Sequence, residues 1–316
     1  MNKYLITLLF IGGMSCAVSL NAKTDIKKVT YQGNKISLAS NQLQCQFVAK
    51  LKGHEKQAYQ GMDICGNVVA SCQNSGWISF YNYDGKRLTQ IIPPYKMDCY
   101  DKINHSNAAS FSNYKYDSND PLPLLYVSQA SKHAWQGNKK DVLFVERIAP
   151  DLKSTKTVQT IYYKDENHNF GYALQWVIDR DNDYLYGFGN TITNTTPTNK
   201  HRIVKFRLPE CREDSDSIIT LTDKDLLENY LIEDTYGKYY QAIDQGLFIK
   251  NGLLFMPTGF GKPSAPSMLY VWDLQTRRMH NILDLTKATF SELEDCSAWN
   301  NSLMIQAQGN MFRIDF

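Results

Sequence analysis

A unit of four short strands recurs along nearly the whole chain, and the third strand of each copy alternates apolar and polar residues. The last copy stops one strand short, while an isolated strand stands near the start. These observations predict an all-β fold: a β-propeller of five four-stranded blades whose N-terminal strand closes the last blade. A sixth blade follows if a hairpin around Gly33-Asn34 belongs to the ring.

The chain opens on a segment that reads as an export signal. Lys3 supplies a positive start, Leu5 to Met14 is apolar but too short to cross a bilayer, and small residues follow, with cleavage expected after Ala17 or Ala22. Residues 1–22 are therefore expected to be the signal and 23–316 a single propeller domain. Cys16 offers a lipoprotein reading, against which Gly13 stands where such signals carry a large aliphatic residue.

Residues 29–37 have strand-like character on both sides of Gly33-Asn34, a hairpin pattern, and Cys45-Gln-Phe-Val-Ala-Lys-Leu51 reads as the isolated strand. Blade one takes 59–64, 68–72, 77–83 and 87–92, with turns at Gly66-Asn67 and Asp84-Gly85. Blade two takes 105–111, 124–128, 142–148 and 157–162, and blade three 173–178, 184–188, 202–208 and 217–222. Thr222-Asp-Lys-Asp225 has the form of a capping box and predicts a helix through Leu231. Blade four, the cleanest copy, takes 241–246, 251–256, 268–274 and 278–283; blade five takes 292–296, 302–306 and 311–316. The missing outer strand of blade five is assigned to residues 45–51, because an unclosed ring would leave edges open to aggregation.

Composition narrows the function. The 316 residues are 43% hydrophobic and 21% charged, with a formal charge of +2 and both signs spread through every blade. No basic stripe marks a nucleic-acid or anionic-membrane surface. The 20 Tyr and 5 Trp suit packing between blades or a ligand face. Beyond Cys16 there remain Cys45, Cys65, Cys72, Cys99, Cys211 and Cys296, which lack zinc-ligand spacing and stand either as up to three disulfides or as free buried thiols.

The stretches His105-Ser-Asn-Ala-Ala-Ser-Phe111, Pro123-Leu-Leu-Tyr-Val-Ser128 and Trp176-Val-Ile-Asp-Arg-Asp-Asn-Asp-Tyr-Leu-Tyr186 resemble secreted bacterial five-bladed propellers of uncharacterised function. Arabinanase- and fructosidase-type glycoside hydrolases share that fold, but their motifs are not matched residue by residue, so the resemblance implies architecture and not activity.

Blade topology puts the long loops 129–141, 189–201 and 257–267 on one face together with the blade connections 93–104, 164–171 and 223–238. That face is the expected binding surface. Three innermost strands open on a shared pattern, an amide or carboxylate followed by Asp: Gln60 with Asp63, Gln241 with Asp244, and Glu292 with Asp295. Blade two offers His105 and Asn107, blade three Gln175, and the loops Trp135, His133, His168, Phe260 and Lys262. Converging polar groups with flat aromatics would suit a glycan, whereas polar channel residues also serve solvent and their own backbone. Asp179-Arg-Asp-Asn-Asp183 lacks the glycine and distal glutamate of a calcium loop and reads as an Asx-rich turn.

The expected function is an exported, non-catalytic, monomeric propeller that binds a glycan or protein partner through its long-loop face. No cofactor, metal or nucleic acid is expected, and membrane attachment only through Cys16, as part of a cell-surface complex. The alternative is a glycoside hydrolase or lyase in which Glu292 or Glu294 faces Asp63 or Asp244 across roughly 5–9.5 Å.

Overall fold

The computed structural model describes residues 23–32, 35–131, 133–135, 139–171, 174–192, 200–232 and 245–315, with side chains from residue 43 onward. Two strands come first, β1 (Lys23–Gln32) and β2 (Lys35–Lys50). Blade one is β3 (Tyr59–Cys65), β4 (Val68–Gln73), β5 (Trp77–Tyr83) and β6 (Leu88–Lys96). Blade two is β7 (Ala108–Phe111), β8 (Leu125–Ser128), β9 (Leu143–Ile148) and β10 (Thr155–Lys164). Blade three begins with β11 (Leu174–Asp179), β12 (Tyr184–Asn190) and β13 (His201–Arg207); β14 (Ile218–Thr222) and β15 (Glu228–Ile232) follow in the chain. Blade four is β16 (Phe248–Lys250), β17 (Leu253–Thr258), β18 (Met268–Asp273) and β19 (Arg278–Asp284). Blade five is β20 (Asp295–Trp299), β21 (Ser302–Ala307) and β22 (Asn310–Asp315), completed by β2.

The innermost strands adjoin in the cyclic order β3, β7, β11, β16, β20 and back to β3, so the sheets form a ring of five blades. One apolar cluster fills each of the five seams between blades. Trp176 and Phe206 lie between blades two and three, Tyr270 and Trp272 between three and four, and Met62 packs on Met304 and Met311 between five and one. Each such fully buried large side chain contributes roughly 1.5–3 kcal/mol by leaving water, and strands covered on both faces, such as β11 and β21, are buried along their whole length.

The ring closes as the sequence predicts. β2 pairs with β22 in the register Cys45↔Ile314 and Phe47↔Phe312, and the two phenylalanine rings meet edge to face at 5.7 Å. The closing strand is longer than residues 45–51, and its hairpin partner β1 does not found a sixth blade. Instead β1 pairs with β19, so blades four and five are joined through β1 and β2 into one nine-stranded sheet.

Two expectations are corrected in blades two and three. β14 is not the outer strand of blade three; it runs parallel to β10 and adds a fifth strand to blade two. The helix expected through Leu231 is also absent. The capping box forms as read, with Thr222 Oγ1 accepting from Lys224 N and Asp225 accepting from Thr222 N, but it caps only the 3-10 turn Asp223–Asp225. The chain then leaves as β15, which pairs with β13 from His201↔Ile232 to Lys205↔Glu228. Once β14 has gone to the neighbouring blade, β13 has an unpaired edge, and ladder bonds along it outweigh a helix signal one turn long.

The six cysteines from Cys45 to Cys296 are all free thiols, and all but Cys65 are buried. Burial pushes the Cys45 thiol up to about 12, the behaviour of an inert packing residue.

Candidate functional site

Each blade stands radially, so its innermost strand shows an unpaired backbone edge to the central channel, and those N–H groups need acceptors. Two aspartates supply them. Asp295 Oδ2 accepts from Met62 N at 2.7 Å and Ala109 N at 3.3 Å, while its Oδ1 accepts from Cys296 N at 2.8 Å. A single carboxylate thereby joins blades five, one and two. Burial pushes Asp295 well above the usual carboxylate range, and the three N–H bonds pull against it. Asp63 accepts from Phe111 N, from Ile64 N at 2.7 Å and from the Ser297 hydroxyl, and it also meets the Arg180 guanidinium. Close backbone approach completes the joints. Gly61 N donates to Ser106 O at 2.8 Å and Gly246 N to Glu294 O at 2.7 Å. A Cβ on Gly61 would lie 2.7 Å from the Ala108 carbonyl carbon, and one on Gly246 2.1 Å from the Asp295 carboxyl, so both positions need glycine.

Arg180 closes the end of the channel at which the innermost strands finish. It reaches from the turn after β11 to Asp63 in blade one, donates to Ile64 O at 3.3 Å, and sits 6.0 Å over the Phe248 ring of blade four. The surrounding Asp-rich turn is committed to local structure: Asp179 accepts from Asp181 N and Asn182 Nδ2, Asp181 from Asn251 N, and Asp183 from the Tyr114 hydroxyl. Among the described residues, no group of three or more His, Cys, Asp or Glu is placed to hold a metal ion.

The opposite end, where the innermost strands begin, is a polar mouth. Counted back five positions from the last paired residue before the first turn, Cys65, Lys250 and Trp299, the matching residues are Gln60, Gln245 and Glu294. The sequence pattern had aligned Gln60 with Gln241 and Glu292 instead. All three matched residues are buried. Among the described residues, Gln60 Oε1 and Gln175 Oε1 are buried without a partner. Gln245 Nε2 donates to Glu292 Oε1 at 2.7 Å, and Gln308 Nε2 approaches Glu292 Oε2 at 3.5 Å.

Both glutamates hold their protons more tightly than usual. Burial raises Glu292, against the bonds from Gln308 and Gln245 and the nearby Lys262. Burial first, then the charges of Glu292 and Asp295, raise Glu294 to about 9.

An aromatic rim stands beside this mouth. The loop after β17 lies on the segment leading to β20: Leu293 N donates to Gly259 O, Ser267 Oγ donates to Ser291 O at 2.5 Å, and Phe260 N is tied to Ala265 O. A Cβ on Gly261 would fall 2.4 Å from Ser291 N, which shows how closely the two backbones meet. The packing leaves Phe260 37% and Phe290 70% exposed, two residues from Lys262 and Glu292 respectively. Phe290 holds a left-handed conformation, φ 50°, at the end of the helical turn Thr286–Thr289, a backbone state that an aromatic residue adopts at some cost.

Of the residues singled out from sequence, Gln60 and Glu292 stand at this mouth, and Gln175 is buried near the start of β11. Asp63 lies deeper and is saturated by its four partners. His105 is exposed with its backbone N–H donated to Gln129 O, and Asn107 is buried at the start of blade two. Trp135 turns away from the channel: its backbone N–H donates to Lys139 O at 2.6 Å, and its ring packs edge-on against Phe144 at 4.7 Å in the seam between blades one and two. Gln241 and Asp244 lie outside the described residues. Sequence reasoning missed Gln245, Gln308 and Phe290. Counting back from the turns would have found Gln245; Gln308 and Phe290 carry no local signal, because only the packing of neighbouring segments brings them here.

No protein-family model matches the chain, and no curated protein matches it either. Among solved structures it is similar to the tail fiber of Staphylococcus aureus phage P68, at 12% identity and a TM-score of 0.50 over 86% of this chain. The chain spans about half of that protein, 52% of its length. It is also similar to a chain of a nidogen/laminin complex (9% identity, 90% of this chain and 85% of the other, TM-score 0.38). A third similar structure is the computationally designed Ika8 protein (10% identity, 86% and 99%, TM-score 0.37). These likenesses concern the fold alone.

Proposed function

We propose that this propeller is an exported binding module that seats the end of a glycan at the channel mouth on the side of blades four and five. The observation that carries the reading is the pairing of two exposed phenylalanines, Phe260 and Phe290, with the Glu292–Gln245–Gln308 hydrogen-bonding group on one hydrogen-bonded rim. Sugar rings offer an apolar face to aromatic side chains and hydroxyls to carboxylates and amides, so a rim with both kinds of group matches their chemistry. The unpartnered oxygens of Gln60 and Gln175 add acceptors for hydroxyl donors. Export rests on the N-terminal pattern of Lys3, the apolar run and Ala17 or Ala22.

A glycan array probed with the mature chain tests this. Binding is expected to fall by roughly tenfold or more in Phe290→Ala and in Glu292→Gln, and to be untouched by Tyr114→Ala at the far end of the channel. Full binding in both rim variants would refute this location.

A glycoside hydrolase is the second reading, favoured by one observation. Glu294 keeps its proton to about pH 9 beside Glu292, the pairing of an acid with a second carboxylate that such chemistry requires. Turnover of a bound glycan that is abolished in Glu294→Gln while binding persists would establish it; intact glycan after prolonged incubation would remove it.

A further inference from the structure

Blade one carries a second group of aromatic side chains at the same end of the channel. Its four strands meet there in one row, Tyr59↔Gln73, Gln73↔Trp77 and Trp77↔Lys96, which begins next to Gln60 of the mouth. The loop entering the blade is pinned over this row. Gln73 Oε1 accepts from His54 N at 2.6 Å, and its Nε2 donates to His54 O at 3.1 Å and Gln57 O at 2.8 Å. The Tyr59 hydroxyl accepts from Gly53 N at 2.7 Å and donates to Leu51 O at 3.0 Å. With its backbone held this way, His54 lays its ring on the Trp77 indole, the two centroids 4.1 Å apart.

Tyr100 meets the same indole edge-on at 6.3 Å, and Lys96 Nζ stands 4.0 Å from the Tyr100 ring centroid. The three rings are half-buried and Lys96 is exposed, so flat aromatic surface and a cation are presented together at the rim. This corner is continuous with the polar mouth. Gln308, which approaches Glu292, is followed by Gly309, whose carbonyl accepts from Leu51 N at 2.7 Å at the start of the blade-one loop. A Cβ on Gly309 would lie 2.3 Å from the Tyr59 ring, so the turn rests directly on that side chain. One strip of surface therefore runs from Phe260 and Phe290, over the Glu292–Gln245–Gln308 group and the Gly309 turn, to His54 and Trp77.

We propose that the site takes a linear oligosaccharide rather than a single terminal sugar, with the chain end at the phenylalanine rim and a later sugar resting on His54, Trp77 and Tyr100. The inference rests on the glycan reading above and names its substrate class. A lone sugar would use one aromatic group only, whereas a strip with aromatic side chains at both ends and carboxylate and amide groups between them matches successive apolar faces and hydroxyls along a chain.

Cellulose-, chitin- and starch-type oligomers, each from disaccharide to hexasaccharide, are the probes, titrated by calorimetry into the mature chain. In at least one series the hexasaccharide is expected to bind roughly threefold to tenfold more tightly than the disaccharide, the contribution of one further stacked ring. Trp77→Leu should bring the hexasaccharide down to the disaccharide value and leave the disaccharide unchanged, while Phe290→Ala weakens both. If Trp77→Leu does not fold, His54→Leu carries the test, since it keeps the indole covered but removes the flat ring. Equal affinity for short and long oligomers in every series that binds, or full hexasaccharide binding in the folded blade-one variants, would overturn this proposal. The glycan reading would survive that result as long as Phe290→Ala still weakens binding; absence of binding in all three series together with a blank glycan array would remove both.

Discussion

Asp295 and Glu294 are neighbours in the chain and buried alike, yet they have opposite surroundings. Asp295 has both oxygens engaged by backbone N–H groups from three blades. Glu294 uses its backbone in the ring, while its carboxyl is raised by burial and by two like charges with no lowering partner. The contrast separates mortar from a group available to a ligand. Burial raises both carboxylates, but the one saturated by edge N–H groups holds the blades together, whereas the one with no lowering partner is left to a ligand or a reaction.

The sharpest way to break this contrast is to remove the joint. Asp295→Ala leaves three buried N–H groups without an acceptor and should lower the unfolding free energy by about 3–9 kcal/mol, at about 1–3 kcal/mol for each orphaned group. Urea titration measures it, and a loss under 1 kcal/mol, on the order of one surface contact, would mean that the seams do not need this carboxylate.

Arg180→Met removes the partner of buried Asp63 and should cost about 2–4 kcal/mol, below the range for fully buried pairs because the guanidinium is 22% exposed. Stability equal to that of the parent chain would show that Asp63 is satisfied by its N–H and hydroxyl donors alone.

Glu294→Gln should act in the other direction. The carboxyl titrates at about 9 in the fold against an ordinary 4.5. The unfolded chain therefore sheds this proton first as pH rises. The contribution of Glu294 to stability is fully present below pH 4.5 and is lost progressively as pH climbs through about 9. The amide variant should match the parent near pH 4 and exceed it by about 1–3 kcal/mol at pH 8, the full linkage of about 1.4 kcal/mol per pH unit being an upper bound. Unfolding midpoints at the two pH values decide it; an identical pH profile in both proteins would place the Glu294 carboxyl in an ordinary environment.

The smallest stability effect belongs to the rim. Phe290→Ala, at a 70% exposed side chain, should leave stability within about 0.5 kcal/mol while removing glycan binding, and thermal melts beside array binding measure both. A large loss of stability would make Phe290 part of the packing.

Sequence alone determined the repeat, the alternation that buries one apolar cluster in each seam, and the closure of blade five by a strand near Phe47, because these follow from local periodicity and from counting strands. The capping box at Thr222 was also legible, but not its fate. Only tertiary structure decided that β14 would join blade two, that β15 would replace a helix, and that β1 would bridge two blades, because each depends on which strand edge is left unpaired once the ring assembles. The candidate site divides in the same way. Polar residue types at strand openings pointed to the mouth, but whether Asp63 is mortar or ligand depends on Phe111, Arg180 and Ser297, residues 48 to 234 positions away. Hydrogen-bond saturation is a property of neighbours in space, and neither composition nor spacing encodes it.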